Sequence, residues 1–359
     1  MQYSIYISGI EKSGYVNAEL QFSVLIFSFT YLLFILFGHI RPQKPIVNLL
    51  LVFAILFANT FSLVFTRDHY KLFYQNPYKA LLIDYQEAGQ TDNRTVSILD
   101  SHHRNSAYYS TRLGIDTTGF RWFDSFKDEH EFKCFLENQS MDHPRLYLGS
   151  LSSINPLSVP LIQEYYPALV WRKDYAGATS YMFSQEQEQE RNVIGKLDFE
   201  SARSEPWSSL DPGKYTDTAS FMGIMAYLID RDTEFGPTFS MKLEEIDWKE
   251  NDFMEISVRV NGSIRSDQFL VASLESKGES IYWGGTPFDS FAPCSDSGDH
   301  WITVHHVLKL SDMNLKHPQL QLKAYIWNRG GASFLVDDFQ ISLRQGNPLI
   351  YGLNEKFRK

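Results

Sequence analysis

A chain of 359 residues is too long for one ordinary core and long enough for two or three modules. A formal net charge of −10 and a pI near 5.5, with no Lys/Arg cluster, exclude a nucleic-acid partner, because neutralising phosphates needs a basic face. The two cysteines, Cys134 and Cys294, fall in what the pattern below divides into different modules, so no disulfide framework is expected and the compartment stays open.

From Leu20 to Ile40 no residue is charged, and FSVLIFSFTYLLFILFG is long enough, at 1.5 Å rise per residue, to cross roughly 30 Å of hydrocarbon. A second uncharged run, Ile46 to Thr66, follows HIRPQKP, whose prolines and cations suit a turn at the headgroups. The expectation is a transmembrane hairpin with helices at about 20–40 and 46–66. Glu11, Lys12 and Glu19 ahead of the first run do not make the basic n-region of a cleavable signal. Arg41 and Lys44 in the turn are balanced by Arg67, Lys71 and Lys79 beyond it, so cation counting does not orient the pair.

Residues 70–185 alternate helical and extended patterns. NPYKALLIDYQEAG opens a helix at Pro77, TVSILD and FRWFD read as short strands, and SHHRNSAYYSTRLGID between them reads as loop. DEHEFKCFLEN is a helix with Asp128 as its cap, with Cys134 as a core thiol. RLYLGSL is a buried strand, NPLSVPLIQEYYPALV another helix, and ATSYMFS a closing strand. A small α/β domain with a largely parallel sheet is expected. It has no Gly-x-Gly-x-x-Gly, phosphate loop or Gly-x-Ser-x-Gly elbow, and the adjacent His102 and His103 read as a solvated loop rather than metal ligands.

SQEQEQERN places a polar linker at 186–192, after which the texture changes. Residues 193–346 are short alternating runs, KLDFE, TFSMKLEEI, FMEISVRVNG, QFLVASLES, SIYWGG, WITVHHVLKL, LQLKAYIWN and SFLVDDFQISL, which is the signature of an all-β sandwich; 347–359 is a tail. In LQLKAYIWN the inward set is Leu320, Leu322, Ala324 and Ile326, leaving Gln321, Lys323, Tyr325 and Trp327 together on the opposite face. Such an aromatic and polar strip suits sugars, whose rings stack on aromatic faces while amides and cations take the hydroxyls. The alternative is that Tyr325 and Trp327 pack under a loop or against the α/β domain. Tyr282 and Trp283, beside Gly284 and Gly285, join the strip or stay at the edge; Trp301 reads as core, and Asp230-Arg231-Asp232 as a chance match to a metal-binding triplet.

The stretches IVNLLLVFAILFANTFSLVFTRDHYKLFYQNPYKALLIDY, DEHEFKCFLENQSMDHPRLYLGSL and IQEYYPALVWRKDYAGATSYMFSQ resemble the C-terminal portion of bacterial polytopic glycosyltransferases related to the dolichyl-phosphate-mannose protein mannosyltransferases. The closing pattern from KLDFE to FLVDDFQI is similar to jelly-roll carbohydrate-binding modules. The resemblance implies a multi-domain protein of the bacterial inner membrane, with a transmembrane hairpin, a small α/β domain and a C-terminal jelly roll, both soluble modules lying outside the cytoplasm. It further implies that the catalytic carboxylate region is absent from this chain, and that a polyprenyl-phosphate sugar donor would matter only within an active transferase. From jelly-roll modules it implies a structural calcium held by Asp198, Glu200, Asp337 and Asp338.

The expected function is that of a membrane-anchored, non-catalytic part of a lipid-linked-sugar glycosyltransferase that contacts the bilayer, a glycan or a partner transferase subunit. A complete transferase with an unidentified site and a structural envelope scaffold are the alternatives.

Overall fold

The computed structural model describes residues 77–348 apart from 92–93, 101–102, 152–154, 176, 187–191, 201–204, 250, 295–300, 314 and 316, together with Phe57. Four α-helices and sixteen strands are found among these residues, in two modules dominated by β-sheet. This corrects the expected architecture of a membrane protein built on a two-helix hairpin, since among the described residues no helix is long and apolar enough to cross a membrane. The stretches 20–40 and 46–66 themselves lie outside the described residues, Phe57 excepted.

The first module runs α1 (Pro77–Thr91), β1 (Thr95–Asp100), α2 (His103–Leu113), β2 (Phe120–Trp122), α3 (Glu129–Asp142), β3 (Arg145–Leu151), α4 (Ser158–Tyr165), β4 (Ala168–Tyr175) and β5 (Ala178–Ser184). Its sheet has the order β2-β1-β3-β5-β4. Only β1 pairs in parallel, with β2 and β3; β5 is antiparallel to β3 and β4. The sheet is therefore mixed rather than largely parallel, because β4 and β5 are joined by a tight hairpin instead of a crossover helix. Alternation along β3 serves both sides. Leu146 and Leu148 share one cluster with Phe132, Leu136, Leu161 and Ile162, while Tyr147 joins Leu81, Leu82 and Met182 on the other.

Helix α2 replaces the loop expected of SHHRNSAYYSTRLGID. Its buried face is built from small and aromatic residues, Ser106, Ser110 and Tyr109, which carry no apolar periodicity. The hydroxyls of buried Ser110 and exposed Thr111 donate to the Ala107 carbonyl at 3.0 and 2.9 Å, so burial leaves Ser110 satisfied within its own helix. Tyr109 stacks on Tyr78 of α1. At α3, Asp128 caps as its position predicted, accepting from the Glu131 N–H at 2.9 Å.

The second module is a sandwich of two antiparallel sheets. One holds β14 (Ile302–Lys309), β11 (Phe253–Gly262), β16 (Phe334–Arg344), β9 (Ala226–Ile229) and β8 (Tyr215–Thr216), with β6 (Asn192–Leu197) also on β16. The other holds β13 (Glu279–Pro287), β12 (Gln268–Ser276), β15 (Leu320–Asn328), β10 (Phe235–Lys242) and β7 (Trp207–Ser208). Met254, Ile256, Val258 and Val260 from the first sheet meet Leu320, Leu322, Ala324 and Ile326 from the second, all at 5% exposure or less, as strict alternation in both strands requires.

Between the modules, α3 and α4 pack on the outward face of the first sandwich sheet. His305 on β14 places Nε2 3.1 Å from Glu164 Oε1 on α4, with side chains 3% and 10% exposed. Burial pushes the Glu164 carboxyl up, but His305 and Thr303 more than offset this and hold it below the usual carboxylate range. Lys133 on α3 donates to the Phe291 and Ala292 carbonyls at 2.7 and 3.1 Å. Next to it Cys134 is joined to Cys294 by a disulfide, with Cα atoms 5.4 Å apart. The expectation of unpaired cysteines is thereby corrected: separate modules in sequence are adjacent in space here. Beyond β16, Arg172 donates to the Gln345 and Gly346 carbonyls, and the Asn347 amide to those of Tyr175 and Ala178.

Candidate functional site

The outward face of the second sheet has no such cover in the described structure. Register across its strands assembles one surface. Gln321, Lys323, Tyr325 and Trp327 of β15 lie beside Glu275, Ser273, Val271 and Phe269 of β12, and Tyr325 and Trp327 lie opposite Thr238 and Phe235 of β10. Trp283 of β13 stands beside Ser273, and Gly285 beside Val271. Cross-strand neighbours at such positions share a face, so four strands contribute to it.

The surface has two ends. At the aromatic end the Trp283 indole N–H donates to Tyr325 Oη at 3.1 Å, and the Trp283 and Trp327 rings stand nearly perpendicular with centroids 6.0 Å apart. Phe235 meets Tyr325 edge-on at 5.9 Å, and Phe269 lies 5.7 Å from Trp327. Trp283 and Phe235 are 51% and 50% exposed. The Trp327 indole N–H points to Glu234 Oε1 at 3.5 Å, and the Arg329 guanidinium lies over its ring at 5.7 Å. Gly285 leaves the floor over Val271 free of a side chain; a Cβ there would lie 3.3 Å from Val271 Cγ2. At the polar end Lys323 Nζ donates to Glu275 Oε2 at 2.6 Å, and the Gln321 amide donates to Ser240 Oγ at 2.7 Å. The Lys323 and Glu275 side chains are 32% and 28% exposed, accessible yet fixed by each other.

Of the six residues expected here, Gln321, Lys323, Tyr325, Trp327 and Trp283 come together. Tyr282 does not: it pairs with Leu274, faces inward and packs on the core, where burial raises its hydroxyl pKa. The α/β module packs on the other sheet, so among the described residues it does not lie over Tyr325 and Trp327. Phe235, Phe269 and Glu275 were not anticipated. For Phe269 and Glu275 the signal was present in QFLVASLES, whose outward phase is Phe269, Val271, Ser273 and Glu275; Phe235 lies three residues ahead of the TFSMK run.

The four carboxylates expected to hold calcium already have other partners. Asp337 Oδ2 accepts from the Phe221 and Met222 N–H groups at 2.8 and 3.0 Å, and Glu200 Oε1 from those of Ile224 and Met225 at 2.7 and 2.9 Å. Asp338 pairs with Lys196 at 2.9 Å, and Asp198 accepts from the Glu200 N–H at 3.2 Å. Among the described residues no group of three His, Cys, Asp or Glu could hold a metal. Through these contacts Glu200 and Asp337 pin the 221–225 loop to the sandwich. Asp230 likewise serves its own turn, bonded to Thr233 and Lys214, and Trp301 is partly exposed beside Phe221 rather than in the core. His103 lies on α2, while His102 is outside the described residues.

No family model matches the chain, and no curated protein does. Among solved structures it is similar to the CBM22-1 xylan-binding domain from Paenibacillus barcinonensis Xyn10C, at 16% identity and a TM-score of 0.29 over 45% of this chain and 99% of that one. It is also similar to the C-terminal family 22 carbohydrate binding module of Clostridium thermocellum Xyn10B, at 11% identity and a TM-score of 0.28 over 44% and 98%. A third, the mannan-recognising carbohydrate-binding module TmCBM27, gives 11% identity and a TM-score of 0.28 over 44% and 99%. All three are carbohydrate-binding modules. Likeness at this level assigns this chain no ligand.

Proposed function

We propose that the uncovered sheet face binds a glycan, and that the chain acts by holding carbohydrate rather than by chemistry of its own. The observation that carries this is the cluster of Trp283 and Phe235, half-exposed, with Tyr325 and Trp327, partly exposed, on a sheet face with hydrogen-bonding groups at one end. Exposed apolar surface of this kind stays in water at a cost of about 25 cal/mol per Å², and it marks a binding surface when it is contiguous and rimmed by polar groups. Sugar rings match it, with C–H faces for the indoles and hydroxyls for Lys323, Glu275 and Gln321. Electrophoresis of the purified chain through gels cast with neutral polysaccharides (xylan, mannan, hydroxyethylcellulose) tests the proposal. Retardation in at least one gel is expected, and migration unchanged in every gel refutes it.

The disulfide between Cys134 and Cys294 supports placing both modules in an oxidising compartment outside the cytoplasm. A finer reading, in which the chain serves as the non-catalytic partner of a lipid-linked-sugar glycosyltransferase, rests on the resemblance of the sequence. Co-purification of a polytopic transferase with the full chain from its native cells tests it, and recovery of the chain without one counts against it.

A further inference from the structure

The glycan reading leaves open what the polar end of the face recognises. Lys323 and Glu275 meet at 2.6 Å, one neutralising the other, at positions next to the aromatic platform: Lys323 lies one outward place along β15 from Tyr325, and Ser273 separates it from Trp283 across the sheet. An outward step along a strand spans about 6.8 Å. A sugar ring lying on the platform therefore reaches the pair with its edge.

Resting on that reading, we propose that Lys323 and Glu275 together form a clamp for the vicinal hydroxyls of an uncharged pyranose. The chemistry is complementary. An ammonium only donates and a carboxylate only accepts, whereas each hydroxyl of a diol does both. One hydroxyl takes a hydrogen bond from Lys323 Nζ while its neighbour donates to Glu275 Oε2. The oxygens of a gauche diol stand about as far apart as a hydrogen-bonded N–O pair, so the clamp needs little rearrangement to engage both. Because the cation is already held by a carboxylate, the pair presents a dipole instead of a net charge. A uronate or sulfate would have to displace Glu275 to reach Lys323, and would then leave that carboxylate unmatched. Gln321, tied to Ser240, closes the same end with neutral groups.

The test uses the full chain with soluble xylan, the same xylan acetylated on its ring hydroxyls, and polygalacturonate, with affinities from titration calorimetry. Wild type is expected to bind free xylan at least about tenfold more tightly than acetylated xylan and to bind polygalacturonate least, since a charge-assisted hydrogen bond lost to an acetyl group carries that order of effect. Lys323→Met and Glu275→Gln should each abolish the preference for free over acetylated xylan, with Trp327→Ala weakening both ligands alike. If wild type and Trp327→Ala behave as stated but Lys323→Met and Glu275→Gln keep the full preference, the clamp is overturned and the glycan face stands. If wild type binds neither free nor acetylated xylan, the clamp is overturned, and only migration unchanged in every gel above takes the glycan face down with it. Circular dichroism and thermal unfolding of each variant establish that it is folded.

Discussion

The two outward faces of the sandwich obey the same alternation and end in opposite states. On the first sheet Ser257, Arg259, Thr303 and His305 point outward, and α3 and α4 lie over them, matching His305 to Glu164 and stitching the edge with Lys133 and a disulfide. On the second, outward positions carry Phe269, Tyr325, Trp327 and Trp283, residues that packing would ordinarily draw inside, and no described element lies over them. The polar face is buried and the aromatic face is open. A covered face tolerates charge when every charge has a partner. An open face retains large aromatic rings where something in solution is to be bound.

Four substitutions or conditions sharpen that contrast, beginning with the largest effect. Glu164→Ala strands His305 beneath α4 and should destabilise the protein by about 3–5 kcal/mol in denaturant unfolding, because it breaks a buried pair from one side. Glycan affinity should not change, and a loss of affinity would mean that the two faces are coupled. Cys134→Ser with Cys294→Ser should cost about 2–5 kcal/mol, and should loosen protection from hydrogen exchange at α3 before it does so at β15.

The third concerns His306, which faces inward opposite Ile256, with Nδ1 2.8 Å from Thr286 Oγ1. Burial pushes it down to about 4. The unfolded chain, with a histidine pKa of about 6.5, takes up its proton first as pH falls. The stabilisation is complete above that value and is lost progressively toward pH 4, up to about 3 kcal/mol. Asp100 works in the opposite direction: burial and Asp124 raise it to about 6, so its contribution is present at low pH and disappears as pH rises through that value. His306→Asn should therefore flatten the acid-side loss, and a variant as acid-sensitive as wild type would show that His306 is not its source. Smallest is the effect of Trp327→Ala, which should weaken polysaccharide binding by about 1.4–2.8 kcal/mol, a factor of 10–100, while leaving unfolding close to wild type.

Much of this was legible in the residues. The strict alternation of LQLKAYIWN placed Gln321, Lys323, Tyr325 and Trp327 on one face, and the capping position of Asp128 marked the start of α3. What escaped had physical reasons. Helix α2 buries serines and tyrosines, so hydrophobic periodicity missed it. Strand β4 carries Arg172, Lys173 and Asp174 and so shows no apolar run, which hid both the strand and its antiparallel hairpin with β5. Pairing of Cys134 with Cys294 depends on how two modules dock, which no local pattern encodes. Tyr282 and Trp283 are neighbours in sequence, and only the register of β13 against Leu274 and Ser273 decides which of them faces the solvent.

The most direct test follows the tryptophan indole N–H signals by NMR while polysaccharide is added. Trp283 and Trp327 should shift together and saturate at one affinity, while Trp207, buried between the sheets, and Trp171, on the α/β module, should stay where they are. A titration in which Trp171 moves and Trp283 and Trp327 do not would place any binding elsewhere and contradict the account.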